Sequence, residues 1–234
     1  MFISRVPLNT AREGARQLIA SPYRTHAAVE SAFPPGSVRD SEEGRILWRM
    51  DTLAQNHSVW LYVVSPEAPD LTHVVEQAGW PTQVQWESKD YAPLLSRIAV
   101  GQHWQFRLRA NPVRKVRADK ARHPKANGDD IIGTIQGHVT AEQQRDWLIA
   151  RAESHGFTLV PDDNGDPSVT ISQRHRERFN RDGQTVTLVT AVFDGRLTVT
   201  DADLFRHTLC HGIGRAKGFG CGLMTVAPIR ELRP

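Results

Sequence analysis

Cysteine and long apolar stretches are both scarce in this sequence of 234 residues. It has two cysteines, Cys210 and Cys221, which are too few for the disulfide framework of a small secreted domain. Its apolar runs, such as residues 59–64, are far too short to cross a bilayer, and the N-terminal MFISRVPLN lacks the apolar segment of a signal peptide. We therefore expect reduced cysteines, a cytoplasmic location and no membrane partner.

Motifs for metal binding and nucleophilic catalysis are also missing. The sequence has no CxxC or HExxH motif, and the spacing of His207 and His211 is a weak metal signal by itself. It has no G-x-S-x-G motif, and the adjacent Cys210 and His211 would point in different directions from a helix. We expect neither a metal nor a cofactor.

Basic residues are mostly arginine, 24 of 29, and they are clustered along the chain. Residues 97–125 contain nine basic residues and one acid, Asp119, whereas residues 129–173 have a net charge of −6. Residues 174–181 are basic again. Such clustering indicates a polyanionic partner such as nucleic acid, although solvated loops balanced by acidic neighbours would give the same pattern.

Hydrophobic periodicity predicts the same order of elements twice. In the first half we expect strands at residues 1–8, 45–51, 58–65 and 82–87, with helices at 10–19, 22–33 and 71–78. In the second half we expect strands at 102–110, 157–160, 168–173, 184–200 and 223–229, with helices at 141–154 and 202–210. This order predicts an α+β protein with two tandem ferredoxin-like (RRM-like) folds, at residues 1–95 and 96–234.

A glycine-rich loop follows the last predicted helix. Residues 211–222 contain five glycines: Gly212, Gly214, Gly218, Gly220 and Gly222. The loop precedes a strand, whereas dinucleotide fingerprints and P-loops precede a helix. We interpret it as a loop whose backbone N–H groups approach phosphate, with charge from Arg215 and Lys217. A flexible connection is the alternative interpretation.

The two ends of the chain resemble a known family. The run GRAKGFGCGLM at residues 214–224, the N-terminal strand, Asn9 and the segment SPYxxH at residues 21–26 are similar to CasE, the repeat-cleaving endoribonuclease of type I-E CRISPR systems. The size and the tandem ferredoxin-like order agree, so the resemblance covers the whole chain. It implies metal-independent cleavage of precursor CRISPR RNA at the base of the repeat hairpin. It also implies that the product stays bound and that other Cascade subunits are partners.

RNA cleavage requires neither a metal nor a protein nucleophile, because the ribose 2′-OH can attack the adjacent phosphate. The reaction needs a base, an acid and cations, and the ordinary pKa of histidine suits proton transfer. Tyr23 and His26 are three residues apart and would share one face of a helix. The resemblance implies that His26 is the general acid or base and that Tyr23 orients or polarises the scissile site. Arg24 or Arg39 could supply a cation.

The basic clusters then predict the RNA-binding surface. An arginine-rich hairpin or loop could follow the phosphates of a deep A-form major groove, and the second cluster could form another wall. The predicted contacts are Arg107, Arg109, Arg114, Lys115, Arg117, Arg174, Arg176, Arg215 and Lys217. A non-catalytic protein of tandem RRM-like domains is an alternative, disfavoured by the absence of an RNP1 motif. A metabolic enzyme that binds a nucleotide at the glycine loop is disfavoured by the order of elements.

Overall fold

The first half of the chain forms one four-stranded sheet with helices. The computed structural model describes residues 1–53, 58–82, 85–116, 134–181 and 183–229. The first elements are β1 (Phe2–Leu8), α1 (Glu13–Ala20), α2 (Pro22–Glu30), β2 (Leu47–Leu53), β3 (Ser58–Ser65), α3 (Thr72–Ala78) and β4 (Glu87–Asp90). The strands are antiparallel in the order β2-β3-β1-β4. This is the predicted ferredoxin-like arrangement.

The second half repeats this arrangement with an added hairpin. A short helix, α4 (Ala92–Leu95), follows β4 and ends the first half. The elements of the second half are β5 (His103–Ala110), β6 (Val113–Val116), β7 (Thr134–Gly137), α5 (Ala141–Ala152), β8 (Phe157–Leu159), β9 (Val169–Arg181), β10 (Gln184–Val199), α6 (Ala202–His211) and β11 (Met224–Pro228). The sheet order is β11-β5-β10-β8, β9 pairs with β10, and β6 pairs with β7. The prediction of two tandem ferredoxin-like folds is confirmed.

Side-chain caps explain where two helices begin. The Ser21 hydroxyl accepts a hydrogen bond from the Arg24 N–H, and Pro22 occupies the first position of α2, where its missing N–H costs nothing. At α5, Thr140 and Gln143 form a capping box. Among the described residues, no helix is both long and apolar enough to cross a membrane.

Two strands, β4 and β9, differ most from their predicted bounds. The strand predicted at residues 82–87 is β4, at Glu87–Asp90, while residues 83 and 84 lie outside the described ranges. β4 is polar, and Glu87 pairs with Arg5 of β1 at 2.8 Å, so apolar alternation could not reveal it. β9 continues past residue 173 to Arg181, because β10 pairs with it as far as the turn.

The apolar cores bring the two halves together. One core cluster packs the first sheet against its helices. The other lies under the second sheet and also contains Leu47, Val64 and Tyr91 from the first half. We propose a domain boundary near residue 95, between α4 and β5, although the shared core fixes the two halves against each other.

A buried arginine adds polar contacts at this junction. Arg49 of β2 makes two 2.8 Å hydrogen bonds to the carboxylate of Asp51. Its guanidinium also donates to the backbone carbonyls of Arg107 (2.8 Å) and Leu223 (3.0 Å), and to the hydroxyl of Thr225 (2.8 Å). One side chain from the first half thus binds both β5 and the segment that begins β11.

Candidate active site and nucleic-acid interface

His26 lies where α2 meets the glycine-rich loop of the second half. Its side chain is 36% exposed. The ring makes an edge contact with Phe219, with 6.3 Å between the ring centroids. A methyl group on Gly218 would lie 3.6 Å from Cε1 and Nε2 of His26, so the glycine keeps that part of the ring uncovered. The fold therefore leaves His26 half-buried in a junction that solvent still reaches.

The charges around His26 come from both halves. Its Nδ1 is 3.9 Å from Oε1 of Glu30, one helical turn later, and Oε2 of Glu30 is 2.7 Å from Nε of Arg39. Burial lowers the pKa of His26 below its ordinary value of 6.5; the Glu30 carboxylate opposes this shift, and the Arg181 cation adds to it. The imidazole is therefore neutral at pH 7 and able to accept a proton.

Tyr23 and two residues of the long β9–β10 hairpin border the same region. Tyr23 is 36% exposed and lies one turn before His26 on α2, as predicted from the spacing. Across the junction, the rings of Phe179 and Phe219 are 4.9 Å apart, and the guanidinium carbon of Arg181 is 5.8 Å from the Phe219 centroid. The site thus has a phenol, an imidazole, two aromatic rings and an arginine within one junction.

The glycines of the loop are required by close packing as well as by access to a ligand. Gly220 has φ +73°, and a Cβ there would lie 2.5 Å from the indole of Trp48, so only glycine fits. Gly218 has no positive φ, and its open side faces His26. The other three predicted glycines, Gly212, Gly214 and Gly222, also have positive φ. Of the five, Gly218 is the one whose missing side chain leaves the histidine accessible.

Arg107 and Arg109 are engaged inside the protein. Arg107 forms an ion pair with Asp194, with 2.6 Å between Nε and Oδ1. Arg109 donates to the carbonyls of Phe219 and Gly220 at 3.0 Å each and pairs with Glu177. Their predicted contact with RNA stays a prediction. Arg109 also has a structural role, because its hydrogen bonds fix the loop segment that faces His26.

The other predicted cations lie nearer the surface. Arg114 and Lys115 are exposed on β6, and Arg176 is exposed on β9. Arg174 is also exposed, and its guanidinium donates to the Val139 carbonyl. Arg117 lies outside the described residues.

Within the glycine loop, Arg215 is exposed and Lys217 is half-buried. Burial lowers the pKa of Lys217, and the Arg45 cation adds to this shift, while Asp40 opposes it. The structure therefore distributes the predicted cations over a hairpin, a long strand and the loop.

His207 and His211, the pair with metal-like spacing, contact each other and the backbone. The rings of His207 and His211 stack 3.8 Å apart, and Nε2 of His211 lies 3.0 Å from the Ser41 carbonyl oxygen. Within the ranges that the structure describes, no three His, Cys, Asp or Glu side chains are grouped as ligands of a metal ion.

Sequence reasoning missed part of this site. Glu30 follows His26 at the i+4 spacing of helical neighbours, and that signal was available in the sequence. The positions of Phe179 and Phe219 carried no local signal, because they are distant in sequence and meet only when the second half folds, and Phe219 reaches His26 only after the two halves pack together.

The chain combines tandem ferredoxin-like folds with a helix-borne histidine that packs against a glycine-rich loop. The model of the family described as CRISPR associated protein matches residues 1–228. The chain belongs to this family, and the resemblance to CasE noted in the sequence is confirmed.

Particular relatives are similar over nearly the whole chain. The CRISPR-associated endoribonuclease Cse3 of Thermus thermophilus is 30% identical over 236 residues, covering 97% of this chain and 100% of the relative. The CRISPR system Cascade subunit CasE of Escherichia coli is 27% identical over 231 residues, covering 98% and 100%. A solved structure of Cse3 bound to a 19-nucleotide RNA superposes with a TM-score of 0.78 at 28% identity, covering 97% of this chain and 100% of that one.

Proposed function

We propose that this protein is an endoribonuclease that binds the hairpin of the CRISPR repeat and cuts precursor CRISPR RNA at the hairpin base. It then retains the product as a subunit of a cytoplasmic Cascade complex. The observation that carries the proposal is the half-buried imidazole of His26, which faces the glycine loop between two RRM-like folds. The endoribonuclease activity of Cse3 and the Cascade membership of CasE support it.

The proposed reaction uses the RNA as its own nucleophile. The 2′-oxygen on the 5′ side of the cut attacks the adjacent phosphorus, and its proton passes to a base. The bond between phosphorus and the 5′-oxygen breaks, and that oxygen takes a proton from an acid. The products are a 2′,3′-cyclic phosphate and a 5′-hydroxyl end. No metal enters this sequence of steps, because two proton transfers and a cation suffice for it.

His26 is the proposed base. Its pKa lies below the ordinary value, so the ring is neutral near pH 7 and can accept the proton of the 2′-OH. Glu30, at 3.9 Å from Nδ1, then stabilises the imidazolium that forms. Tyr23, one turn away, is proposed to orient the scissile phosphate.

Arg181 is the cation best placed to stabilise the charge that develops on the phosphate. It acts electrostatically on His26 and lies beside Phe219 on the opposite side of the junction. Arg39, by contrast, is bound to Glu30 through a 2.7 Å ion pair, which gives it a positioning role. Of the two cations suggested by the sequence, Arg24 donates to Gln17 at 2.6 Å and so is tied to α1.

The hairpin is proposed to bind along the exposed cations of the second half. Paired RNA offers its phosphates as the uniform feature of an A-form stem, and arginine forks bind them with two hydrogen bonds. Arg114 and Lys115 on the β6–β7 hairpin and Arg176 on β9 are exposed for such contacts.

Incubation of the protein with repeat RNA in EDTA tests the proposal. We expect one cut, a cyclic phosphate end and a product that stays bound. RNA with a 2′-deoxyribose just 5′ of the cut should bind with almost unchanged affinity and remain intact. A shift without cutting of the ribose substrate would indicate a non-catalytic RNA-binding protein, and cutting of the deoxy substrate would show that water is the nucleophile.

A further inference from the structure

A cavity of about 390 Å³ borders the glycine loop at Gly214 and Arg215, a few residues before the part of the loop that faces His26. Its other walls come from the β6–β7 hairpin and from α5. The volume falls in the range of small-molecule sites, roughly 300–1,000 Å³. The loop packs directly on the cavity wall, because a Cβ on Gly214 would lie 2.9 Å from Cζ2 of Trp147.

The charge of the cavity has one sign. Four cationic side chains are among its described lining residues, and none of these lining residues is acidic: Arg114, Lys115, Arg151 and Arg215 provide the charge. These cations also act on the neighbouring His138. Burial is the main cause that lowers the pKa of His138, the cations of Arg114 and Arg151 lower it further, and the Asp146 carboxylate opposes the shift. A cavity of this kind favours an anionic group.

Two buried polar atoms in the wall lack partners. Oδ1 of Asn111 and Nε1 of Trp147 have no hydrogen-bond partner among the described residues. Asn111 is 7% exposed and Trp147 is 3% exposed. An unsatisfied buried donor or acceptor is costly, so native proteins rarely retain one without a reason. Both residues line the same cavity, so a ligand with a polar edge bound there is the partner that would satisfy the acceptor and the donor.

The Trp147 ring is held firmly in this position. The Trp147 ring stacks on the Phe193 ring with 6.1 Å between their centroids. The guanidinium carbon of Arg151 lies 4.5 Å from the centroid of the Trp147 ring. Arg151 also donates to the Trp147 carbonyl at 3.0 Å. The indole N–H is therefore fixed by packing and cannot easily turn towards another partner.

A nucleotide has both an anionic group for the cations of the cavity and a polar edge for Asn111 and Trp147. Its phosphate is an anion that arginine and lysine bind, and its base edge offers neutral hydrogen-bond donors and acceptors. We propose that this cavity binds one unpaired nucleotide of the RNA substrate, with the phosphate on the cations and the base edge against Asn111 and Trp147. The RNA as occupant rests on the proposed function, because one loop borders both the cavity and the junction that contains His26.

The indole N–H resonance of Trp147, assigned with Trp147→Phe, gives a direct test by two-dimensional NMR. The probes are inorganic phosphate, the four nucleoside 5′-monophosphates and repeat RNA carrying the single 2′-deoxy substitution. We expect at least one mononucleotide and the RNA to shift this resonance, and phosphate alone to leave it in place. Protein already bound to the RNA should no longer respond to the mononucleotide.

Variants separate the contributions of the cavity. Asn111→Ala and Arg215→Ala should each weaken mononucleotide binding by about tenfold, the loss expected for one hydrogen bond to a buried or charged group. Lys89→Ala removes an exposed charge on β4 and should have no effect. If Trp147→Phe fails to fold, the two alanine variants still report by calorimetry.

Three results would overturn the inference. They are a Trp147 resonance that no nucleotide moves, a response to phosphate equal to that of the nucleotides, and continued mononucleotide binding in the RNA complex, which would indicate a site for free nucleotide. Cleavage of ribose RNA is measured on the same preparation. Cutting without a response at the cavity contradicts this inference alone, whereas a response at the cavity without cutting contradicts the proposed function.

Discussion

Arg49 and Asp51 form a fully buried, two-point ion pair at the junction of the two halves, with side chains 2% and 7% exposed. The same guanidinium donates to carbonyls of Arg107 and Leu223 in the second half. His26 is contributed by the first half, and Phe219, which contacts it, by the second. The pair therefore helps to fix how the two halves meet at the junction that contains His26.

Arg49→Met should destabilise the protein strongly. Removing one partner of a buried ion pair leaves the other charge uncompensated and typically costs about 3–5 kcal/mol of the free energy of unfolding. Here two backbone carbonyls also lose a donor. Urea denaturation of the variant and the wild type gives the measurement.

The double variant Arg49→Met/Asp51→Leu is the matched control. With both charges removed, no carboxylate is left unpaired, so the loss of stability should be smaller than for Arg49→Met alone. Both variants lose the hydrogen bonds of Arg49 to the second half, so a double variant that is less stable than the single one would show that the unpaired Asp51 carboxylate is not what destabilises Arg49→Met.

Much of the fold was predictable because its signals are local. Alternation in β5 and the caps at Ser21 and Thr140 depend on neighbours in sequence. The position of β4 could not be predicted, because its residues are polar and only its pairing with β1 defines it as a strand. Tyr23 and His26 could be singled out by resemblance, but the contact of His26 with Phe219 exists only after the halves have packed.

His26→Ala should abolish most cleavage and leave binding intact. The proposal makes His26 a general base, and such groups typically contribute about 10²–10⁴-fold in rate. Affinity is expected to come from the cationic residues of the other half. Single-turnover rates and RNA affinities of the variant and the wild type check both statements.

His103→Ala is the control for His26→Ala. His103 is exposed on β5, where its ring lies 2.9 Å from the Thr198 hydroxyl, and its loss should not alter the rate. Wild-type-like cutting by His26→Ala in single turnover would remove His26 from the mechanism.

The rate should rise with pH and level off below the pH expected for an ordinary histidine. A base must be unprotonated, and burial lowers the pKa of His26 below 6.5.

Two variants should move this profile in opposite directions. Glu30→Gln removes the carboxylate that raises the pKa of His26, so the rising limb of the rate should move to lower pH. Arg181→Gln removes a cation that lowers it, so the limb should move to higher pH. Single-turnover rates across pH 5–8 check these directions, and a rate that falls with pH would make His26 an acid instead.

The arginines of β5 show that a charge pattern does not reveal which cations have partners inside the protein. In the sequence, Arg107 and Arg109 belong to one basic run with Arg114 and Lys115. In the structure, β10 places Asp194 beside Arg107, and β9 places Glu177 beside Arg109. These acids come from distant segments, so only the fold separates engaged cations from exposed ones.

Arg114→Ala/Lys115→Ala should weaken RNA binding and reduce its salt dependence. Both side chains are exposed on β6, and the slope of log K against log salt should fall by roughly 0.7–0.9 for each phosphate that the variant no longer neutralises. Arg109→Ala is the contrasting variant: it should slow cleavage, because the carbonyls of Phe219 and Gly220 lose their donor, and change the salt slope less than the double variant does. Binding isotherms at several salt concentrations check both. An unchanged slope for the double variant would place the RNA on another face, with Arg215 and Lys217 as the next residues to change.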